Sequence, residues 1–329
     1  MITLKAYRIF NEDGKVASRY VDMQLGELDA GSVVIKVAYS SVNFKDALAA
    51  TGAGRIIRRF PCVGGIDLSG TVTESGDVRF SKGDAVIATS YDIGVAHDGG
   101  YAQYARIPAD WVVALPKGLD LFESMALGTA GFTAALAVER MEHDGLKPGN
   151  GPVIVTGASG GVGSIAVDIL ASAGYHVVAL TGKENATEYL KGLGAKEVTQ
   201  RGSLDLAKIK PLDKATWAGA VDNLGGEVLA WLASTMQIGG TLASIGLAAS
   251  HNFNTTVMPY ILRGVSLLGI DSVNARMPLR EKVWKRLAGD LKPRHLDSIV
   301  TTVDFGALPG VFEKVMNAKM RGRAVVKIA

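Results

Sequence analysis

The sequence predicts an α/β chain of two domains, the first rich in strands and the second built on a doubly wound parallel sheet. Three observations carry this. The chain has 329 residues, of which 48% are hydrophobic and 20% charged, enough for more than one core. The first 120 or so residues alternate short β-patterned runs with Gly and Asp turns. From Pro152 onward, strand-like runs alternate with helical ones, the pattern of a parallel sheet with crossover helices.

Taken in order, the strands of the first part are SVVIKVAYSSV, DLSGTVTESGD, GDAVIATS and runs between Gly100 and Pro116. The second part reads PVIVT, a helix, YHVVAL, a helix ending near LGAKEV, GAVD, a helix, TLASIG and VSLLGID. The helix after PVIVT is the best defined: Val162, Ile165, Ala166, Ile169, Leu170 and Ala173 fall on one face, and Gly174 closes it. A further helix is expected over Arg280 to Leu291, after which SIVTTVDF and RAVVKI return to strand. The boundaries are therefore set at 1–120, with the tail 297–329 returning to it, and at 121–296. No internal repeat, low-complexity tract or long linker interrupts them.

Charge and cysteine usage exclude several classes. Thirty-five basic against 32 acidic residues leave a net charge of +3, which does not mark a nucleic-acid binder. Cys62 is the only cysteine, so there is no disulfide framework and no Cys-rich zinc lobe; a reducing cytoplasm fits best. The opening MITLKAYRIFNEDGK meets charge too early for a secretory core, and no uninterrupted apolar run reaches the roughly 18 residues that span a bilayer. No membrane insertion is expected.

The run VTGASGGVG follows a predicted strand and opens a helix, with Gly157, Gly160 and Gly163 as its glycines. Small residues there permit a tight turn and let a pyrophosphate approach N–H groups at the positive end of a helix; the bland alternative is a turn in a glycine-rich chain. At the end of the next strand an NAD-preferring site would offer a carboxylate to the ribose 2′-hydroxyl, but this chain reads ALTGKEN. Thr181 can hydrogen-bond a 2′-phosphate and Lys183 can neutralise it, which favours NADPH over NADH. Glu184 lies beside them, and the opposing reading is a solvated helix start. Arg201 would add a second cation only if its loop folds back.

At this point the chain resembles the zinc-free quinone oxidoreductase branch of the medium-chain dehydrogenase/reductase family, and within it the acrylyl-CoA reductase group. The resemblance runs nearly end to end. It rests on SSVNFKDALAATG (Ser40 to Gly52), RIIRRFPCVGGIDLSG (Arg55 to Gly70), GTAGFTA (Gly128 to Ala134), VTGASGGVG, TTVMPYILRGVSLLGIDSV and the closing RGRAVVKI. It implies a GroES-like catalytic domain, a Rossmann domain, a homodimer, and NADPH-dependent reduction of acryloyl-CoA to propanoyl-CoA. The cofactor-contacting positions it implies are Phe44, Ser159, Gly160, Gly161, Val162, Thr181, Gly182, Lys183, Arg201, Leu247, Ile261, Ser272 and Arg323. Phe44 stands where a tyrosine is common in relatives, so a hydroxyl role there is absent. Zinc dehydrogenases of the wider family carry a metal-binding cysteine around Asn43 and a Gly-His-Glu element around Gly65; here those places read VNFKD and GGID. Cys62, His97 and scattered acids match no ligand spacing, so no metal is expected.

Without a metal, hydride transfer depends on placement, and an enolate formed from a thioester needs an oriented donor. Asn43 and Asp46 are the candidate catalytic residues, Asn43 as an amide donor and Asp46 as an orienting carboxylate; the equal alternative is that both cap the following helix. Tyr91 is a further candidate donor, and solvent is the other source of the α-proton. Arg55, Arg58 and Arg59 lie within five residues and suit the phosphates of a CoA tail, against the alternative of a solvated loop. A broader quinone or enal reductase, or an NADPH-binding protein with little turnover, remain as rival readings.

Overall fold

The computed structural model describes residues 2–328. The chain forms two compact units, one of Met1–Thr129, Val273–Ala288 and Val300–Ala329, the other of Ala130–Ser272 and Gly289–Ile299. This division differs from 1–120 plus 297–329 and 121–296. Thr129 stays with the first unit because it bonds to the buried Asp67 carboxylate. Val273–Ala288 joins it because the buried Arg280 donates to the carbonyl and hydroxyl of Thr89.

The first unit opens on a hairpin of β1 (Thr3–Glu12) and β2 (Lys15–Gln24). Asp13 and Gly14 join them with φ of 52° and 82°, the pair of left-handed residues that a twisted two-residue turn demands. β3 (Val33–Val42), β4 (Cys62–Val63), β5 (Asp67–Ser75), β6 (Ala85–Thr89), β7 (Tyr104–Ile107) and β8 (Val112–Ala114) follow. β4 extends the hairpin sheet along β1. The larger sheet runs β15-β16-β3-β5-β6-β8, where β15 is Val300–Asp304 and β16 is Arg323–Lys327, and β7 also pairs with β3. The core of this unit includes Leu4, Ile9, Ile35, Leu68, Tyr101 and Phe312; each such side chain contributes about 1.5–3 kcal/mol on leaving water.

Helix α1 (Phe44–Thr51) leaves β3 through Asn43 and ends at Gly52, whose φ of 72° is left-handed. Helix α2 (Leu121–His143), not anticipated from the sequence, is broken at Gly128, where φ is 51° and ψ is −155°. By length and composition α2 could cross a bilayer, its charged residues being too sparse to lower the mean hydropathy. Its most apolar stretch is 78% buried inside the protein, as a core helix would be.

The second unit holds β9 (Pro152–Thr156), β10 (His176–Thr181), β11 (Glu197–Gln200), β12 (Trp217–Asp222), β13 (Met236–Ser244) and β14 (Ser266–Gly269). Their order is β11-β10-β9-β12-β13-β14, and every pairing is parallel. The strand order therefore reverses between β9 and β12, which is where such sheets bind ligands beyond their carboxyl ends. Helix α3 (Gly161–Ser172) follows β9, and Gly174 takes its C′ position with φ of 88°. One buried stripe was expected on α3, but every residue from Gly163 to Leu170 is buried. The helix expected at Arg280–Leu291 runs over Met277–Leu287.

Candidate active site

Several of the positions named from the sequence lie at or just beyond the carboxyl edge of the parallel sheet. The glycine turn leaves β9 with Gly157 at φ of 57°. A side chain at Gly163 would overlap the Gly157 carbonyl, so the third glycine lets α3 pack against the turn. The α3 N-terminus at Gly160 has no side-chain cap, leaving N–H groups of its first turn for an anion. At the end of β10 the Thr181 side chain is buried. Its Oγ lies 3.1 Å from Ser159 Oγ and accepts the Lys183 N–H at 3.1 Å. Thr181 therefore shapes the turn, and its hydroxyl is committed within it. Gly182 is exposed, and the Arg201 guanidinium stands beside it, 3.8–3.9 Å from where a Cβ would be. The loop does fold back, bringing the Arg201 guanidinium next to the turn of Gly182 and Lys183.

Asp222, which sequence reasoning missed, organises the neighbouring strand end. Its carboxylate accepts Thr156 Oγ at 2.7 Å and the Gly225 N–H at 2.8 Å, and burial raises its pKa. Leu247 and Ser272 follow the carboxyl ends of β13 and β14. Ile261 lies on the short helix Met258–Arg263, and both it and Leu247 are exposed. A cavity of about 620 Å³ is lined by Arg201, Leu206, Gly226, Val228, Ser250 and Asn252, among others.

Asn43 and Asp46 belong to a buried polar network within the first unit. Its hub is Asp67, which no sequence argument singled out, although a lone acid opening an apolar strand run was the available signal. Asp67 Oδ2 accepts Ser41 Oγ at 2.6 Å, Asn43 Nδ2 at 2.8 Å and the Thr129 N–H at 3.0 Å, while Oδ1 accepts Thr129 Oγ at 2.5 Å. Arg323 pairs with it at 3.8 Å. Asp46 accepts the N–H groups of Asn43 at 2.8 Å and of Ile66 at 3.0 Å, plus Asn43 Nδ2 at 3.2 Å. Burial and the nearby Asp67 push the Asp46 carboxyl up to about 7, against the pull of those donors. The same burial raises Tyr101, whose hydroxyl donates to the Ser41 carbonyl.

Two of the candidate positions are engaged within this network. Asn43 was a candidate donor to an enolate, yet its Nδ2 serves Asp67 and Asp46 and its Oδ1 accepts Arg323 Nη1 at 3.0 Å. The amide is fully used, and Asn43 with Asp46 forms the capping box of α1. Arg323 was implied as a cofactor contact. Its guanidinium is buried and donates to the carbonyls of Ala126 and Val42, to Asn43 and to Ser41 Oγ. It holds the network together from inside.

The remaining candidates are placed as follows. Phe44 is half exposed at the start of α1. The Tyr91 hydroxyl donates to the Ala275 carbonyl at 3.3 Å, its ring stacked on Trp111 and covered by Arg280. Of the arginine trio, Arg58 pairs with Asp92, and Arg59 with Asp29 and Asp98, while Arg55 is exposed. Cys62 is buried, its thiol pushed up to about 12 by burial and by Asp98. Among the described residues no group of three His, Cys, Asp or Glu side chains could hold a metal ion.

Two family models match the chain, the alcohol dehydrogenase GroES-like domain over residues 29–117 and the zinc-binding dehydrogenase over residues 161–289. YhfP of Bacillus subtilis (strain 168), provisionally named a quinone oxidoreductase, is 50% identical over 303 residues, 92% of each chain. Its solved structure, with NAD bound, aligns at a TM-score of 0.97 over 99% of this chain and 100% of that one. Acrylyl-CoA reductase AcuI of Ruegeria pomeroyi is 44% identical over 317 residues, 96% of each chain. The yhdH oxidoreductase of Salmonella enterica in complex with NADP aligns at a TM-score of 0.96 with 44% identity, covering 99% of this chain and 100% of that one.

Proposed function

Because the chain belongs to the medium-chain dehydrogenase/reductase family, we propose that it reduces the C=C bond of acryloyl-CoA to propanoyl-CoA with NADPH. The observation that carries this reading is the turn at Gly182, where Lys183 and Arg201 supply cations and no carboxylate occupies the end of β10. The 44% identity to an acrylyl-CoA reductase over nearly the whole chain supports the substrate class.

In this reading Gly182, Lys183 and Arg201 hold the 2′-phosphate, and the N–H groups opening α3 hold the pyrophosphate. NADPH, when bound, supplies a hydride for the β-carbon. The overall reaction consumes one proton, giving propanoyl-CoA and NADP⁺, with the new C–H bonds at the β- and α-carbons. Solvent is the source of the α-proton, since the Asn43 amide and the Tyr91 hydroxyl are engaged within the fold and Phe44 has no hydroxyl. The CoA phosphates meet Arg55 first; Arg58 and Arg59 bind them only by exchanging their carboxylate partners. That pairing is also what favours the second reading, a reductase of quinones or enals with no need of a CoA tail.

We further infer a cytoplasmic homodimer. Among the described residues no strand pairs with the outer edge of β14, and Leu267, Ile261, Leu262 and Val257 are exposed near it in the chain.

Loss of NADPH absorbance with acryloyl-CoA, crotonyl-CoA and a simple quinone, repeated with NADH, tests the proposal. Turnover confined to acryloyl-CoA and NADPH is expected. Quinone turnover alone would establish the second reading, and tight NADPH binding with no turnover would make the chain a binding protein.

A further inference from the structure

The buried network contains a residue whose role neither the motifs nor the reaction has used. Thr129 contacts Asp67 twice, its hydroxyl at 2.5 Å from one carboxylate oxygen and its main-chain N–H at 3.0 Å from the other. A two-point attachment fixes the plane of the carboxylate as well as its place. It requires the break at Gly128: a Cβ there would sit 2.6 Å from Asp67 Oδ2, 2.7 Å from Arg323 Nη2 and 2.8 Å from Ser41 Oγ. The hydroxyl is itself oriented. Ser90 Oγ lies 3.1 Å from Thr129 Oγ, and because the Thr129 proton goes to Asp67, Ser90 donates to Thr129. Ser90 is held there with φ of 66°, its N–H on the Ile66 carbonyl, a conformation a non-glycine residue adopts only when its surroundings impose it.

We propose that Thr129, oriented by Ser90, is a positioning residue that fixes Asp67 and, through Asp67, the candidate catalytic pair Asn43 and Asp46. The proposal rests on the reductase reading above. Every hydrogen-bond partner found on Asp67 is a donor, the arrangement of a carboxylate that accepts and does not give a proton. Through Ser41, Asn43 and Arg323 the same carboxylate sets the rest of the network, so loosening it changes the electrostatics of the whole cluster.

The test uses the full-length wild-type protein and the variants T129V, T129S and S90A. T129V keeps the shape and the main-chain contact but loses the hydroxyl, and T129S restores it. For T129V, kcat with NADPH and acryloyl-CoA is expected to fall about tenfold, the loss expected for one hydrogen bond to a charged group. KM for NADPH should stay within about twofold, since its phosphate contacts lie elsewhere. T129S should return kcat to wild type, and S90A should show the same loss at smaller size. Independently of turnover, the side-chain amide resonance of Asn43, read in the NADPH complex, should shift in T129V and not in T129S. Unchanged kcat in T129V, or equal losses in T129V and T129S, would reduce Thr129 to a packing residue. If the wild type turns over no acceptor, the reductase reading fails, and an unmoved Asn43 resonance would overturn the positioning role separately.

Discussion

Asp46 and Arg201 show how differently single residues declare themselves. Burial and Asp67 raise the Asp46 carboxyl from 3.8 to about 7. Because the folded value lies above the unfolded one, the contribution of this group to stability is full below about pH 4 and is lost as pH rises through 7. Asp46→Asn should therefore flatten the decline in unfolding free energy between about pH 4 and 7, by at most about 1.4 kcal/mol per pH unit; urea titrations of both proteins across that range check it. Nothing in VNFKD announces this shift, which comes from burial and from a second acid 21 positions away in the chain. At the other site, Arg201→Gln should raise KM for NADPH about tenfold and leave NADH unaffected, by loss of one charge-assisted phosphate contact. Thr181 to Lys183 could be named as a candidate phosphate turn because a strand end is read from adjacent residues. Arg201 could be named only on the condition that its loop folds back, since the path of that loop is what brings it to Gly182.

Helices α2 and α3 carry the corresponding lesson for elements. GTAGFTA lies in a helix the sequence did not announce, and within it Gly128 adopts a conformation open essentially to glycine alone. Gly128→Ala would combine that strain with overlap on Asp67, Arg323 and Ser41. A loss of at least about 3 kcal/mol is expected in chemical denaturation, together with weakened NADPH turnover. The α3 helix was legible in extent, and Gly174 in its role, because period and glycine conformation are local. Its burial on every side was not, since Asp168 faces inward to accept the N–H groups of Arg294 and His295 from a segment more than 120 residues later. An acid on a predicted helix reads as solvated until such a partner arrives.

Across the whole molecule, the chain passes between its two units at residues 129/130, 272/273, 288/289 and 299/300, and each unit has its own core. The exposed edge of β14 makes a mass of twice the chain the expected result in sedimentation, and Leu267→Glu should halve it while leaving NADPH binding intact. The sequence by itself determined the two-part α/β architecture, the succession of parallel strands and the glycine turn with its missing acid, because alternation, helical period and turn chemistry act over a few residues. Only the tertiary structure decided that Ser41, Asn43, Asp46, Asp67, Thr129 and Arg323 share one network. It also decided that the Asn43 amide is already occupied and that two of three neighbouring arginines are neutralised. Those outcomes depend on hydrogen bonds between residues up to 282 positions apart, and a polar side chain states what it can bond to, while the fold alone states what it meets.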